Sequence, residues 1–436
     1  MATTLDPTAP SPPAAPAAGT EAHASGADAH ASGADAHASG ADAHALSTEA
    51  RTLIEELIGF HTVSRDSNLG LIEWARDYLE RCGAKTRLTH DASGKKANLF
   101  ATLGDSPRPG LILSGHTDVV PTDGQAWETD PFTATLRDGK LYGRGTADMK
   151  GFIGVSLAQA PRFVAALNDG RLDAPLHYAL SYDEEVGCLG VRGLIRDLTE
   201  QGIRAAGCVV GEPTSMQPII AHKSMQRFRC AVHGVDGHSA YVTRGVNAIE
   251  YAAKLIVFIR HLADRLAQCE RRDYGFTVPY STLSTGVIRG GIAANIIAKE
   301  CEFLFDMRTL PGTSPAALHR EIDEYAVALS AEMRAAHPQA GIDLIWESET
   351  AGLAAAESDA IVEWALKLSQ ATSVGKVSYG TEAGLFQKMG VPTVICGPGD
   401  IEQAHRPNEF VSLDQLGRCE TFIRRIVDAG YTVGAR

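Results

Sequence analysis

Five short segments carry most of the residues able to do chemistry. They are SGHTDVVP (114–121), GRGTADMKG (143–151), SYDEEVG (181–187), VGEPT (210–214) and QAHRPNE (403–409). Together they supply His116, Asp148, Glu185, Glu212 and His405, two imidazoles and three carboxylates. Mixed nitrogen and oxygen donors with no thiolate suit a catalytic zinc or a similar divalent ion. Asp183, Glu184 and Glu185 are consecutive acids at the end of an apolar strand pattern. Near a core, such a cluster disfavours its own charged form unless cations compensate it. Each feature alone has a plainer reading. A lone buried histidine is more often held by a hydrogen bond than by a metal, and an acidic triplet is usually a solvated loop. Five segments repeating one context, a loop after an apolar run, outweigh those readings. The eight cysteines, at 82, 188, 208, 230, 269, 301, 396 and 419, form no CxxC and no zinc-ribbon spacing. Cys208, Cys230 and Cys396 lie in apolar runs, as reduced, buried thiols do.

The elements that must position these residues are legible from periodicity. Four of the five segments directly follow a predicted strand, and sites in open α/β sheets form beyond the carboxyl ends of strands. Short apolar runs at 111–113, 178–180 and 208–210 interleave with helical patterns. Ser47 caps a helix whose apolar positions include Leu53, Ile54, Leu57 and Ile58. A second helix carries Leu71, Ile72, Ala75, Tyr78 and Leu79. This alternation predicts an α/β sheet covered on both faces. After Lys223 the order becomes strand (228–232), helix (249–266), strand (282–288), strand (300–306), helix (315–335) and strand (342–346). Ser314 is the N-cap of the second of these helices and Pro315 its first residue. Its apolar stripe is Leu318, Ile322, Tyr325, Leu329 and Met333. A βαββαβ order is the ferredoxin-like α+β arrangement. The α/β pattern returns from about 351, with a helix over 359–370 and a strand at 393–396. The expected organisation is an α/β domain of residues 46–222 and 351–436, interrupted by an inserted domain of residues 223–350.

With 436 residues the chain can build two good cores. Hydrophobic residues are 44% and charged residues 21%, as in a water-soluble globular protein. Net charge is −13; the first 45 residues hold five acids and no Lys or Arg, which leaves −8 for the rest. An acidic body without a basic block argues against nucleic acid or an anionic membrane as partner. No stretch reaches the roughly 20 apolar residues of a membrane helix, and the N-terminus lacks the pattern of a secretory signal. A cytoplasmic location is expected. Residues 1–45 are low in complexity. HASGADA repeats place His23, His30, His37 and His44 seven residues apart with only Ala as apolar partner, so no coiled-coil seam can form. A disordered tail without catalytic importance is expected, with weak metal binding by the histidines as the alternative.

GHTDVVP, GRGTADMKG, DEEVG, GEPT and AHRPNE resemble, in order, the signature segments of the M20 metallopeptidase and deacylase family, over residues 48 to 430. GEPTSMQPIIAHK, TVPYSTL and CGPGDIEQAHRPNE resemble its acetylornithine deacetylase branch in particular. The resemblance implies a two-zinc catalytic domain, with cobalt as a possible substitute, and an inserted lid that also makes a homodimer contact. It implies that His116 and Glu212 hold one metal, that Glu185 and His405 hold the other, and that Asp148 bridges them. Asp118 is then the carboxylate that orients the His116 ring, and Glu184 the general base. In the lid, His238 (GVDGHSAY) is presented to the neighbouring subunit as an oxyanion donor, while Asn295 (GGIAANII) and Arg308 (FDMRTLPG) bind substrate. A planar guanidinium suits a carboxylate through two parallel hydrogen bonds. Gly380 and Thr381 match a substrate loop, although Tyr379–Gly380 replaces the cysteine-containing pair that precedes TEA in a familiar branch member. Without the resemblance, Glu184 reads as charge filling, His238 as a turn histidine and Arg308 as half of a strand-end ion pair. The implied partner is a small N-acylated amino acid and the implied reaction is hydrolysis of its amide bond, foremost N-acetylornithine to ornithine and acetate in arginine biosynthesis. Glu382 is the expected acceptor for the δ-ammonium. Succinyl-diaminopimelate desuccinylase and a broad N-acyl-amino-acid amidohydrolase are the alternatives. A non-catalytic binding relative is the alternative from another class, and would have lost Glu184 or a ligand.

Overall fold

A computed structural model of the chain describes residues 44–428. Of the tail expected over 1–45, all but its last two residues lie outside the described residues. The described residues belong to one compact unit.

Its centre is a mixed sheet of nine strands. In spatial order these are Lys85–His90, Ala97–Leu103, Leu176–Ser181, Gly110–His116, Ala205–Pro213, Thr393–Gly397, Ile219–His222 and Leu353–Ala354, with Gly375–Val377 added alongside Ile219–His222. The four strands from Leu176–Ser181 to Thr393–Gly397 run parallel, and antiparallel strands flank them. Strand Gly110–His116 is buried throughout. Leu111 and Leu113 pack into one core with Ile54 and Phe152, while Ile112 packs into another with Leu194 and Phe386. Neighbouring side chains of one strand thus enter different cores, as a sheet covered on both faces requires.

Helix Thr48–Ile58 starts where Ser47 accepts the Ala50 N–H at 3.1 Å, and it buries the predicted stripe. It packs on helix Lys150–Ala158, which is buried all round. Gly154 permits that approach, because a Cβ there would lie 2.5 Å from Ile54 Cγ1.

The chain leaves the large sheet after His222 and rejoins it at Leu353. Between them, Thr282–Gly290, Glu300–Thr309, Ser224–His233 and Gly341–Thr350 form an antiparallel four-stranded sheet in that order. Helices Ala248–Cys269 and Pro315–Ala336 complete a βαββαβ unit. Ser314 accepts the Ala317 N–H at 3.3 Å, with Pro315 in the first turn. Residues alternate along the strands. Phe228, Cys230, Phe303 and Phe305 face the helices, and Arg227, Asp306 and Arg308 occupy the other face. Two local expectations are corrected. The apolar pattern ends its strand at 306, but the ladder to Ser224–His233 continues through Arg308 and Thr309. The sequence pattern puts Glu212 in a loop, but it lies inside Ala205–Pro213. Among the described residues no helix is long and apolar enough to cross a membrane.

Candidate active site

His116 is the last residue of its parallel strand and is 1% exposed. Its Nδ1 lies 2.8 Å from the Asp118 carbonyl oxygen. A carbonyl only accepts, so Nδ1 carries a proton, and in the neutral ring Nε2 presents a lone pair. That lone pair meets Asp148 Oδ1 at 2.8 Å, with Glu212 Oε1 at 3.9 Å. Two acceptors so close need a proton or a cation between them. On the other side of Asp148, His405 Nε2 lies 3.4 Å from Asp148 Oδ2 and 3.0 Å from Glu185 Oε2. Donor atoms therefore form two groups, His116–Asp148–Glu212 and Asp148–Glu185–His405, each spanning no more than 4.8 Å, with Asp148 common to both.

The residues present fit two divalent cations. Glu185 Oε1 is buried without a hydrogen-bond partner. Loss of solvation, with Glu185, Asp148 and Asp118 close by and His116 opposing, raises Glu184 to about 8. Loss of solvation and the Asp148 charge raise Glu185 to about 7. Burial first, then Asp148 and Glu184, push Glu212 well above the usual carboxylate range. Burial opposes ionisation of Asp148, yet its hydrogen bonds with His116 and His405 hold it below that range. Hydrogen bonds to Asp148 and Glu185 raise His405 to about 10. Carboxylates this crowded ionise together only if positive charge is supplied.

The acidic triplet divides into three tasks. Asp183 pairs with Lys96 at 2.6 Å. Glu185 belongs to a donor group. Glu184 lines the cavity but belongs to neither donor group. Asp118 stands behind His116, its carbonyl oxygen 2.8 Å and its carboxylate 3.6 Å from Nδ1. The carboxylate also accepts from Ser64 Oγ at 2.7 Å and from the backbone N–H groups of Glu184 and Glu185 at 3.1 and 3.3 Å. It therefore holds the turn that carries the acids.

A cavity of about 250 Å³ opens over the cluster and is lined in part by Glu184, Met225, Arg227, Arg308, Tyr379 and Gly380. Arg308 donates from Nε to Asp306 at 2.9 Å and from Nη1 to the Ser378 carbonyl at 3.3 Å. Gly380 lets its loop approach the inserted sheet, since a Cβ there would lie 2.7 Å from Met225 Cε. Thr381 does not line the cavity. It is buried, 3.3 Å from His222 Nε2, and accepts the Ala383 N–H at the start of helix Ala383–Lys388. Glu382 is corrected as well. It is fully buried and accepts from Ser114 at 2.6 Å and Ser181 at 2.7 Å, so it supports the sheet rather than facing substrate. His238 and Asn295 are exposed and lie outside this cavity. Strand Gly237–His238 pairs with Ile296–Ile297, and the Ser239 N–H reaches the Asn295 carbonyl at 3.1 Å, so the two residues lie side by side on one short two-stranded ladder.

Three residues escape the sequence reading. Glu409 and Arg144 lie within recognised motifs and form a buried pair beneath the Asp148 loop. Arg227 sits directly across the ladder from Asp306 and lines the cavity. Its only sequence signal is a polar residue on the open face of a strand.

Comparison with known proteins agrees with this geometry. Residues 112–429 match the model of peptidase family M20/M25/M40. The chain is 36% identical over 390 residues to the acetylornithine deacetylase of Myxococcus xanthus, covering 86% of this chain and 96% of that protein. It is 35% identical over 365 residues to the acetylornithine deacetylase of Pasteurella multocida, covering 83% and 91%. A Staphylococcus aureus tripeptidase shares the fold at TM-score 0.68 and 17% identity, over 88% of this chain and 99% of that one. A Bacillus subtilis protein described as a dinuclear metal-binding M20 peptidase does so at 0.60 and 15%, over 87% and 98%. The family match and the two paired donor groups lead to one conclusion: the chain belongs to peptidase family M20/M25/M40 and is a metal-dependent hydrolase.

Proposed function

We propose that the chain hydrolyses the amide bond of N-acylated amino acids, with N-acetyl-L-ornithine, giving L-ornithine and acetate, as its principal substrate. The observation that carries this reading is Glu184, which lines the cavity beside the five donors without joining either donor group. The named activity of relatives at 35–37% identity supports the acetyl substrate. His116, Asp148 and Glu212 would hold one divalent cation, zinc or its substitute cobalt, and Asp148, Glu185 and His405 the second. Such cations acidify bound water and polarise an acyl carbonyl. Glu184 takes the proton of the attacking water and later delivers it to the leaving amine. Arg308 grips the α-carboxylate with the guanidinium N–H groups left free by Asp306 and Ser378.

Residues 223–350 act in this reading as a lid and as the contact of a homodimer. Exposed apolar side chains on the inserted unit, among them Val242, Ile288 and Ile292, support a partner there. His238 and Asn295 lie on that exposed part and would serve the partner subunit's site, His238 as oxyanion donor and Asn295 toward the substrate. The eight unpaired cysteines favour a reducing compartment, the cytoplasm.

One observation favours a second reading. Arg227 lines the cavity with no ion pair among the described residues. A second cation beside Arg308 suits a substrate with an additional carboxylate, such as N-succinyl-diaminopimelate. Metal analysis together with turnover of acetyl, succinyl and formyl amino acids separates the readings. A tenfold preference for a succinylated substrate displaces N-acetylornithine. Lack of turnover across the panel with both metals bound removes the amidohydrolase reading.

A further inference from the structure

Glu184 is held at three points. Its backbone N–H donates to Asp118 Oδ1 at 3.1 Å. Its carbonyl accepts the N–H groups of Gly187 and Cys188 at 2.9 and 2.8 Å, closing a tight turn. The third point is on the side chain, where Cys188 Sγ donates to Glu184 Oε1 at 3.2 Å. Among the described residues no other group hydrogen-bonds that carboxylate. Cys188 itself has little freedom. It is fully buried and packs in the core that contains Phe100, Val191 and Leu194.

We propose that Cys188 is a positioning residue for the base, its thiol fixing one oxygen of Glu184 so that the other faces the cavity. The proposal rests on the reading of Glu184 as the base. A glutamate has three side-chain torsions, and a base must lie within hydrogen-bond reach of the proton it takes. The short turn from Glu184 to Cys188 brings the donor under the carboxylate. The apolar packing around the sulfur keeps the donor in one place. Burial pushes the thiol well above its usual range, so it stays protonated and donates. A thiol also tolerates apolar walls better than a hydroxyl, which suits a cysteine packed in a core with Glu184 and Thr350 as its polar neighbours.

The competing account makes Cys188 a small core side chain with no part in turnover. Cys188→Ala and Cys188→Ser, in the full-length, metal-loaded protein, give opposite rank orders under the two accounts. Positioning predicts that Ala lowers kcat roughly 5- to 30-fold, the loss of one weak donor to a charged group, with KM and metal content unchanged. Ser then restores kcat to within about threefold of wild type, even where its melting temperature is the lower of the two. Core filling predicts the reverse, with Ala near wild type and Ser the worse in both kcat and stability. A kcat for Ser no better than for Ala overturns the proposal. A Glu184→Gln background supplies the second check. There, adding Cys188→Ala costs no further kcat if the thiol acts through the carboxylate, and a further fivefold loss overturns the proposal. Near wild-type turnover of Glu184→Gln alone removes the base reading itself, and the role of Cys188 with it.

Discussion

The Arg144 guanidinium meets the Glu409 carboxylate at 2.6 Å, and each side chain is only 1% exposed. The same carboxylate accepts the backbone N–H groups of Gly145, Ala147 and Asp148 at 3.1, 2.9 and 3.1 Å. Glu409 therefore shapes the loop that delivers Asp148, the residue common to both donor groups. Removing one partner of a buried ion pair costs about 3–5 kcal/mol because the other charge is stranded. Arg144→Met is expected to destabilise the protein by that order, read by denaturant unfolding of the metal-loaded form. Glu409→Gln is expected to weaken metal binding about 10- to 100-fold. Competition with a chelator measures it, and unchanged affinity would mean that the loop holds its shape without this carboxylate.

Glu184→Gln is expected to keep both metals and the fold while lowering kcat by at least ~10². The amide preserves size and leaves the five donors untouched. Turnover and metal content on the same preparation decide the matter, and a metal-replete variant with near wild-type kcat would exclude Glu184 from proton transfer.

Arg308→Ala is expected to lower kcat/KM for N-acetylornithine roughly 10- to 150-fold, the equivalent of about 1.5–3 kcal/mol for a charge-assisted contact. Arg308→Lys recovers only part of it, because a lysine offers a point charge without the fork. The comparison uses N-acetylornithine amide, which lacks the α-carboxylate charge. Equal losses on both substrates would show that Arg308 reads something else.

Metal-free protein is expected to lose stability as pH rises from 5 to 8. Glu184 and Glu185 are held at about 8 and about 7, above their ordinary 4.5. Their contribution is complete below 4.5 and is lost as pH climbs through those values. His405, raised to about 10 from 6.5, works in the same direction above 6.5. Bound cations remove the repulsion, so the metal-loaded protein stays level over this window. Melting temperatures of chelator-treated and reloaded protein test this, and parallel curves would contradict it.

The inserted unit is expected to make a homodimer. Ile292 is 87% exposed and Ile288 53% exposed, and a charge at an apolar contact is strongly disfavoured. Ile292→Glu should shift the protein toward monomer in sedimentation at micromolar concentration and lower its activity. His238→Ala, which leaves the apolar contact intact, should lower activity without shifting the protein toward monomer. A wild-type monomer with full activity would remove both the dimer and the role of His238 across its interface.

Periodicity and cap chemistry make the elements readable from the amino-acid sequence. The two helix caps at Ser47 and Ser314, the βαββαβ order and the return to the large sheet all follow from local patterns, because they depend on residues a few positions apart. The donors are readable too, since His116, Asp148, Glu185, Glu212 and His405 sit in motifs whose residue types leave few alternatives. Tertiary structure alone decides what each neighbouring polar group touches. Glu382 lies one residue from Thr381 in a loop-like stretch, yet its carboxylate is taken by Ser114, 268 positions away, and by Ser181. Asp118 does more than stand behind the His116 ring, because its carboxylate also accepts two N–H groups of the DEE turn more than 60 positions along the chain. Arg227 gains meaning only when strand pairing sets it opposite Asp306 over the cavity. Local pattern tells which face a residue occupies, whereas the partner on that face is chosen by packing between segments distant in sequence, and a polar group buried there takes whichever donor or acceptor the fold brings within about 3 Å.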